Sequence, residues 1–158
     1  MTLVLSLATQ LKSREWKLVS AESCTGGGLA YYLTQIPGSS TWFDRGFITY
    51  SNAAKEDMLG VKSHTLQTEG AVSEKTAKEM AEGALERSQA QISVAITGIA
   101  GPTGGSTDKP VGTVWFGFAS IETPPHAYQQ ILTGDRQAIR EQAIEWALKK
   151  LLEMSRNS

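Results

Sequence analysis

Apolar positions recur at two periods along this 158-residue chain. Leu3, Val4, Leu7, Ala8 and Leu11 follow the helical spacing, so residues 2–15 are predicted to form an amphipathic helix. Trp16–Ala21 reads as a short strand, and the run Ser23–Gly28 as a turn into a helix over Leu29–Ile36 that Pro37-Gly38 stops. Trp42–Tyr50 reads as a strand with Gly46 as a bulge, and Ala53–Leu59 as a short helix ended by Gly60. Ser73 caps a longer helix to about Arg87, and the apolar, β-branched run Gln91–Thr97 is a buried strand. After the glycine-rich segment Gly98–Pro110 come strands at Gly112–Ile121 and Ala127–Leu132, then a helix from Asp135 to about Met154. Helices and strands alternate at first, and two strands follow in succession. That order predicts an α/β fold, a three-layer α/β/α sandwich with a mixed sheet whose last two strands are the antiparallel part. No repeat or linker interrupts the pattern, so residues 1–158 are expected to form a single domain.

Composition removes several classes of function. Fifteen basic and sixteen acidic residues leave a net charge of −1, which argues against a nucleic-acid binder or a polybasic membrane-surface protein. Cys24 is the only cysteine and His64 and His126 the only histidines, so neither a disulfide framework nor a Cys/His metal site is expected. The N-terminus lacks a basic flank and a small-residue cleavage site, and no apolar run has the length of a membrane span. A cytoplasmic setting without membrane contact is the expectation.

Four stretches hold candidate chemistry. Ser23 lies between a strand and a helix within Ala-Glu-Ser-Cys-Thr-Gly-Gly-Gly, at the sheet end where open α/β folds bind ligands. The backbone N–H groups of Thr25 and Gly26 are candidate donors to an oxyanion formed at Ser23, with Gly27 completing the turn before the helix. A tight βα turn with a serine cap is the plainer alternative. A serine nucleophile needs a base, and neither histidine has an orienting carboxylate in the sequence. Lys55 is the other choice, as an amine whose pKa falls on burial, with Tyr50 to orient it or pass a proton. A solvated lysine is the ordinary alternative. Gly98–Pro110 has the composition of an anion cradle, although it is neither a P-loop nor a dinucleotide fingerprint, and a mobile surface loop fits it also. Arg136 and Arg140 share a helix face and would hold a phosphate between them, unless Asp135 is simply a cap and both arginines are solvated.

Taken together, six segments resemble the CinA C-terminal family, which includes pyridine-nucleotide amidohydrolases of the PncC type. They are Ala-Glu-Ser-Cys-Thr-Gly-Gly at 21–27, the run from Gly38 to Lys55, Gly-Ala-Val-Ser-Glu at 70–74, Thr-Gly-Ile-Ala-Gly-Pro with the following glycines at 97–105, Lys-Pro-Val-Gly-Thr-Val-Trp at 109–115, and Gly-Asp-Arg with its helix at 134–140. The resemblance spans about residues 5–155. It implies hydrolysis of the carboxamide of nicotinamide mononucleotide to nicotinic acid mononucleotide and ammonia, with no cofactor and no metal. It places the catalytic serine, tyrosine and lysine on Ser23, Tyr50 and Lys55. It places substrate binding on the loop holding Thr97, Gly98, Ala100 and Gly101, and on Arg136, and it implies a homo-oligomer. The nucleotide-pyrophosphatase domain that longer members carry has no counterpart in this sequence, so that activity is not expected. Two rival readings stand beside this one: Cys24 as the nucleophile, and a non-catalytic pyridine-nucleotide-binding or competence accessory module.

Overall fold

The computed structural model describes residues 1–156; Asn157 and Ser158, the end of the expected 1–158 domain, lie outside the described residues. In chain order the elements are α1 (Thr2–Ser13), β1 (Leu18–Glu22), α2 (Gly28–Leu33), β2 (Phe43–Ile48), α3 (Asn52–Leu59), α4 (Ser63–Glu69), α5 (Glu74–Glu86), β3 (Ile92–Gly98), β4 (Thr113–Ser120), β5 (His126–Ile131) and α6 (Arg136–Arg156), with a 3-10 turn at Ser39–Thr41. The sheet runs β2-β1-β3-β4-β5. β1 pairs in parallel with both β2 and β3, while β3–β4 and β4–β5 are antiparallel. The mixed sheet with its antiparallel end is the one expected from the order of elements.

Alternation along the central strands builds two cores. Leu18 of β1, Ile92, Val94 and Ile96 of β3 and Phe116 and Phe118 of β4 pack with α1, α2 and α6 on one face. Val19, Ala21, Ala95 and Ala119 point to the other face, against Leu59 of α3, Leu66 of α4 and Met80, Ala81 and Ala84 of α5. The strand β1 therefore has helices over both faces and strands on both edges. The chain leaves it toward β2 through α2 on one face and reaches β3 through α3–α5 on the other. This reversal at the carboxyl end of β1 opens a crevice in the manner of an open α/β sheet, and Ser23 is the first residue past that end.

Three expectations are corrected. β1 starts at Leu18 because Glu15, at φ 55, turns the chain out of α1, and Trp16 lies under the Arg14 guanidinium, 3.4 Å from the ring centroid. The irregularity in β2 falls at Asp44, not Gly46: Phe43 pairs with Leu18 and Arg45 with Val19. Gly46 is instead a close approach, where a Cβ would come within 2.8 Å of Ser20 Oγ. The helix α4 was not predicted, since its Ser-His-Thr-Leu-Gln-Thr-Glu sequence buries only Thr65 and Leu66. Glu79 of α5 holds it in place, taking Lys62 N–H at 2.9 Å and Thr65 Oγ1–H at 2.7 Å.

The α5 layer sits so near the sheet that a methyl at Gly117 of β4 would overlap the carbonyl of Ala77. Gly117→Ala must lift α5 off the sheet and is expected to cost about 1–3 kcal/mol of stability, as overpacking does. Denaturant unfolding should show the loss as a lower midpoint; an unchanged midpoint would mean the helix yields freely.

Candidate active site

The turn after β1 is built around one buried carboxylate. Glu22, the last residue of β1, accepts Thr25 Oγ1–H at 2.5 Å and Leu29 N–H at 2.9 Å on Oε1, and Ala30 N–H at 3.0 Å on Oε2. It therefore caps α2 from within the chain, and the first open N–H groups of that helix are satisfied before any ligand arrives. Gly26 and Gly27, at φ 59 and φ 101, supply the left-handed backbone that brings the helix back onto the carboxylate. On the other side of the turn, α6 contributes Arg140. Its Nε donates to Cys24 O at 3.1 Å and its Nη2 to Thr25 O at 3.2 Å. Arg140 is thus a brace of the serine turn and not half of a phosphate clamp.

Ser23 projects from this braced turn toward Lys55. The α3 helix is capped by Ser51, whose Oγ accepts Ala54 N–H at 3.0 Å, and its inward face carries Lys55 and Leu59, four residues apart. Lys55 is consequently only 1% exposed. Its Nζ donates to Ser23 Oγ at 2.9 Å and Thr49 O at 2.8 Å, with Tyr50 O at 3.4 Å. Burial lowers its pKa from 10.5 to about 8, only partly opposed by the nearby Cys24. The solvated lysine of the ordinary alternative does not occur.

Tyr50 divides its contacts. Its backbone carbonyl faces Lys55, while its phenol oxygen accepts Arg136 Nη2–H at 3.0 Å and the residue is 61% exposed. Arg136 also donates to Gly101 O at 2.8 Å, so it bridges the rim between the tyrosine and the glycine loop. Asp135 is a cap, accepting Ala138 N–H at 2.9 Å. The loop is shorter than its composition suggested, because Ile99 N–H to Thr113 O at 2.9 Å and Gly112 N–H to Ile99 O at 2.7 Å extend the β3–β4 ladder.

A cavity of about 280 Å³ joins these parts. Ser23, Tyr50, Lys55, Thr97, Gly98, Ala100, Gly101 and Arg136 line it, together with Cys24, Asn52, Ala71, Val72 and Thr103. Its charged lining residues are Lys55 and Arg136, and none is acidic. Of the predicted residues, Thr25, Gly26 and Gly27 stand outside the lining. Thr25 turns its hydroxyl to Glu22, and Gly26 N–H is engaged with Ser23 O at 3.0 Å. Thr97 lies on the wall, but its hydroxyl donates to Ala71 O at 2.8 Å, which ties β3 to the 70–73 segment. Sequence reasoning gave Glu22 no role; its one signal was a carboxylate ending a strand just before a turn rich in donors. Cys24 is 6% exposed and burial pushes its thiol up to about 12, which removes the thiolate that the rival nucleophile would need.

Among the described residues no group of three His, Cys, Asp or Glu side chains is placed to hold a metal, and no helix is long and apolar enough to cross a membrane.

Fold and site together define a three-layer α/β/α protein with a serine–lysine pair at the switch point of its sheet. The family model of the CinA C-terminal domain matches residues 1–155, and the chain belongs to that family. It is 51% identical to a nicotinamide-nucleotide amidohydrolase PncC of Enterobacter agglomerans, over 95% of this chain and 92% of the relative. A putative competence-damage inducible protein of Symbiobacterium thermophilum is 46% identical over 93% of this chain but only 36% of its own length. The crystal structure of the competence/damage inducible protein CihA from Agrobacterium tumefaciens superposes with a TM-score of 0.93 at 45% identity, covering 97% of this chain and 93% of that one.

With its thiol held at about 12, Cys24 in the folded protein is expected to react with a thiol reagent at neutral pH far more slowly than in the unfolded chain. The difference in thiolate fraction alone is roughly 10³-fold against an ordinary cysteine. Equal labelling rates in native buffer and in denaturant would show the thiol to be accessible and ionisable after all.

Proposed function

We propose that this chain is a nicotinamide-nucleotide amidase, converting nicotinamide mononucleotide to nicotinic acid mononucleotide and ammonia by acyl transfer through Ser23. The observation that carries this reading is the 2.9 Å contact between Ser23 Oγ and the buried Nζ of Lys55. The relatives named as nicotinamide-nucleotide amidohydrolases, at 51% and 52% identity, supply the substrate class.

In the proposed sequence, neutral Lys55 takes the Ser23 hydroxyl proton as the oxygen attacks the carboxamide carbon. Thr49 O and Tyr50 O hold the amine in place against the serine. The tetrahedral oxyanion is stabilised by the backbone N–H that follows the nucleophile. Gly26 N–H is already engaged and Thr25 lies outside the cavity lining, which leaves Cys24 N–H as the donor of the turn. The proton on Lys55 passes to the leaving nitrogen, the C–N bond breaks and ammonia departs. Water, deprotonated in turn by Lys55, then hydrolyses the Ser23 ester and restores the hydroxyl. Tyr50 acts in this scheme by its carbonyl on the amine and by its phenol on Arg136, and Arg136 with the glycine loop receives the substrate phosphate. Lys55 and Ser23 need no third charged partner here, because desolvation by itself brings the amine into range.

Purified protein given nicotinamide mononucleotide should release ammonia. Ser23→Ala should lower the rate by about 10⁴–10⁶-fold, the range seen when a serine nucleophile is deleted, while retaining nucleotide binding. Lys55→Arg should fail alike, since guanidinium stays protonated near neutral pH. Near-normal turnover in either variant would remove that residue from the chemistry. Nucleotide binding by the wild type without ammonia release would favour the binding-module reading instead.

The sign of the pH dependence follows from Lys55. The amine is the active form, so kcat/KM should rise with pH and level off above an apparent pKa near 8. A bound pyridinium is a like charge beside Lys55 and disfavours its protonated form, so the apparent pKa in kcat should lie below that in kcat/KM. A rate that falls as pH rises through this range would rule out Lys55 as the base.

A further inference from the structure

The hydrogen bonds of the serine turn form a connected path that ends at the residue after the nucleophile. Arg140 Nη2 donates to Thr25 O at 3.2 Å; that carbonyl shares a peptide unit with Gly26 N–H, which donates to Ser23 O at 3.0 Å. The Ser23 carbonyl shares its peptide unit with Cys24 N–H. The second branch is shorter, because Arg140 Nε donates to Cys24 O at 3.1 Å, and that carbonyl belongs to the peptide unit of Thr25 N–H. Neither Cys24 N–H nor Thr25 N–H donates to an oxygen among the described residues. A carbonyl that accepts a charge-assisted bond draws electron density from its own amide, and the N–H of that amide becomes a stronger donor. One guanidinium on the last helix therefore feeds both peptide units that follow Ser23.

We propose that Arg140 is a positioning residue for the oxyanion: through the Thr25–Gly26 and Ser23–Cys24 peptides in series it polarises Cys24 N–H, the donor beside Ser23, and through the Cys24–Thr25 peptide it fixes the turn that carries that donor. The proposal rests on the acyl-transfer reading of Ser23. It assigns Arg140 a different task from Arg136, its neighbour one turn away, which stands on the cavity rim. Arg140 does not line the cavity and needs no contact with the nucleotide. Glu22 holds the same turn from the opposite side through donors only, so the two residues divide the work by polarity. The carboxylate takes the N–H and O–H groups that point away from the cavity. The guanidinium takes the carbonyls, and Cys24 N–H, which faces its own thiol, keeps no oxygen acceptor among the described residues.

A donor that is retained but weakened should matter less than one deleted, for which losses of about 10²–10³-fold are typical; Arg140→Gln is therefore expected to lower kcat by about 10–100-fold. KM and nucleotide affinity should stay as in the wild type, because the ground-state carboxamide draws little on the oxyanion donors. Arg140→Lys should recover part of the rate, having one donor in reach of one carbonyl. Arg140→Ala leaves a guanidinium-sized space, and added methylguanidinium should raise its kcat where methylammonium does not. Melting temperatures measured alongside separate this role from a plain tether.

The proposal fails if Arg140→Gln and Arg140→Ala keep wild-type kcat. It fails also if KM rises with kcat unchanged, or if the loss disappears on assay well below a lowered melting temperature. An active wild type with unaffected variants overturns this inference alone. A wild type that binds the nucleotide and releases no ammonia overturns the acyl-transfer reading, and this inference with it.

Discussion

The carboxylate of Glu22 is the fixed point of this molecule. A buried carboxylate without partners would be strongly unfavourable, and Glu22 is held by a hydroxyl of the turn it precedes and two backbone N–H groups of α2. That demand shapes the turn: the chain must bend within a few residues to bring Leu29 and Ala30 back over the end of β1. Gly26 and Gly27 make the bend possible. Ser23 is thereby placed at the rim of the sheet, with its N–H bonded to Ile96 O at 2.9 Å, and its direction is set before any ligand is present. The same grip closes the start of α2 to an outside anion, so the proposed reaction draws on the turn and not on the helix for its oxyanion donor.

Lys55 shows the opposite economy of charge. Nothing acidic faces it; its acceptors are a hydroxyl and two carbonyls. Desolvation then acts almost unopposed and brings the amine to about 8. A carboxylate in the same place would stabilise the ammonium and make it a poor base near neutral pH. The site thus retains a group that a stability-optimised core would exclude, and the short α3 carries it on a face that otherwise would be apolar. Glu22 is held by three neutral donors and Lys55 by three neutral acceptors, one group serving the architecture of the turn and the other facing Ser23.

Much of this was legible in the chain. The periods of residues 2–11 and 91–97 and the succession of two late strands specify the layers and the mixed sheet, because apolar spacing reports directly on which face is buried. The short helix α4 was not legible: two buried side chains in seven leave no period, and what fixes it is Glu79 on another element. The same limit applies at the site. Ser23, Tyr50 and Lys55 carry motif signals, and the structure brings them around one cavity. Glu22 and Arg140 stand in the same motifs without showing what they do, since their contacts depend on backbone atoms brought together by the fold, with Arg140 reaching a carbonyl 116 residues away. Side-chain identity announces a nucleophile more readily than it announces what holds the nucleophile still. The Arg136–Arg140 spacing suggested a shared ligand; in the structure the one-turn separation places one guanidinium at the rim and the other behind the turn.

The charge of the cavity changes meaning during the proposed reaction. Its lining carries two basic side chains and no acid, a composition that suits a phosphate and opposes a pyridinium. The conflict is resolved by position. Arg136 sits on the rim, tied to Gly101 O and the Tyr50 phenol, where the phosphate end would reach it. The inner cation is Lys55, the one group whose charge the protein has already weakened. A pyridinium beside it raises the free energy of the ammonium further, so the substrate helps to create the base that activates Ser23. Once the carboxamide has become a carboxylate, the like charge is joined by an opposite one, and the ammonium is favoured again. A permanently charged residue at this position would repel the substrate and hold the product; a titrating one, tuned by burial alone, can meet both ends of the reaction.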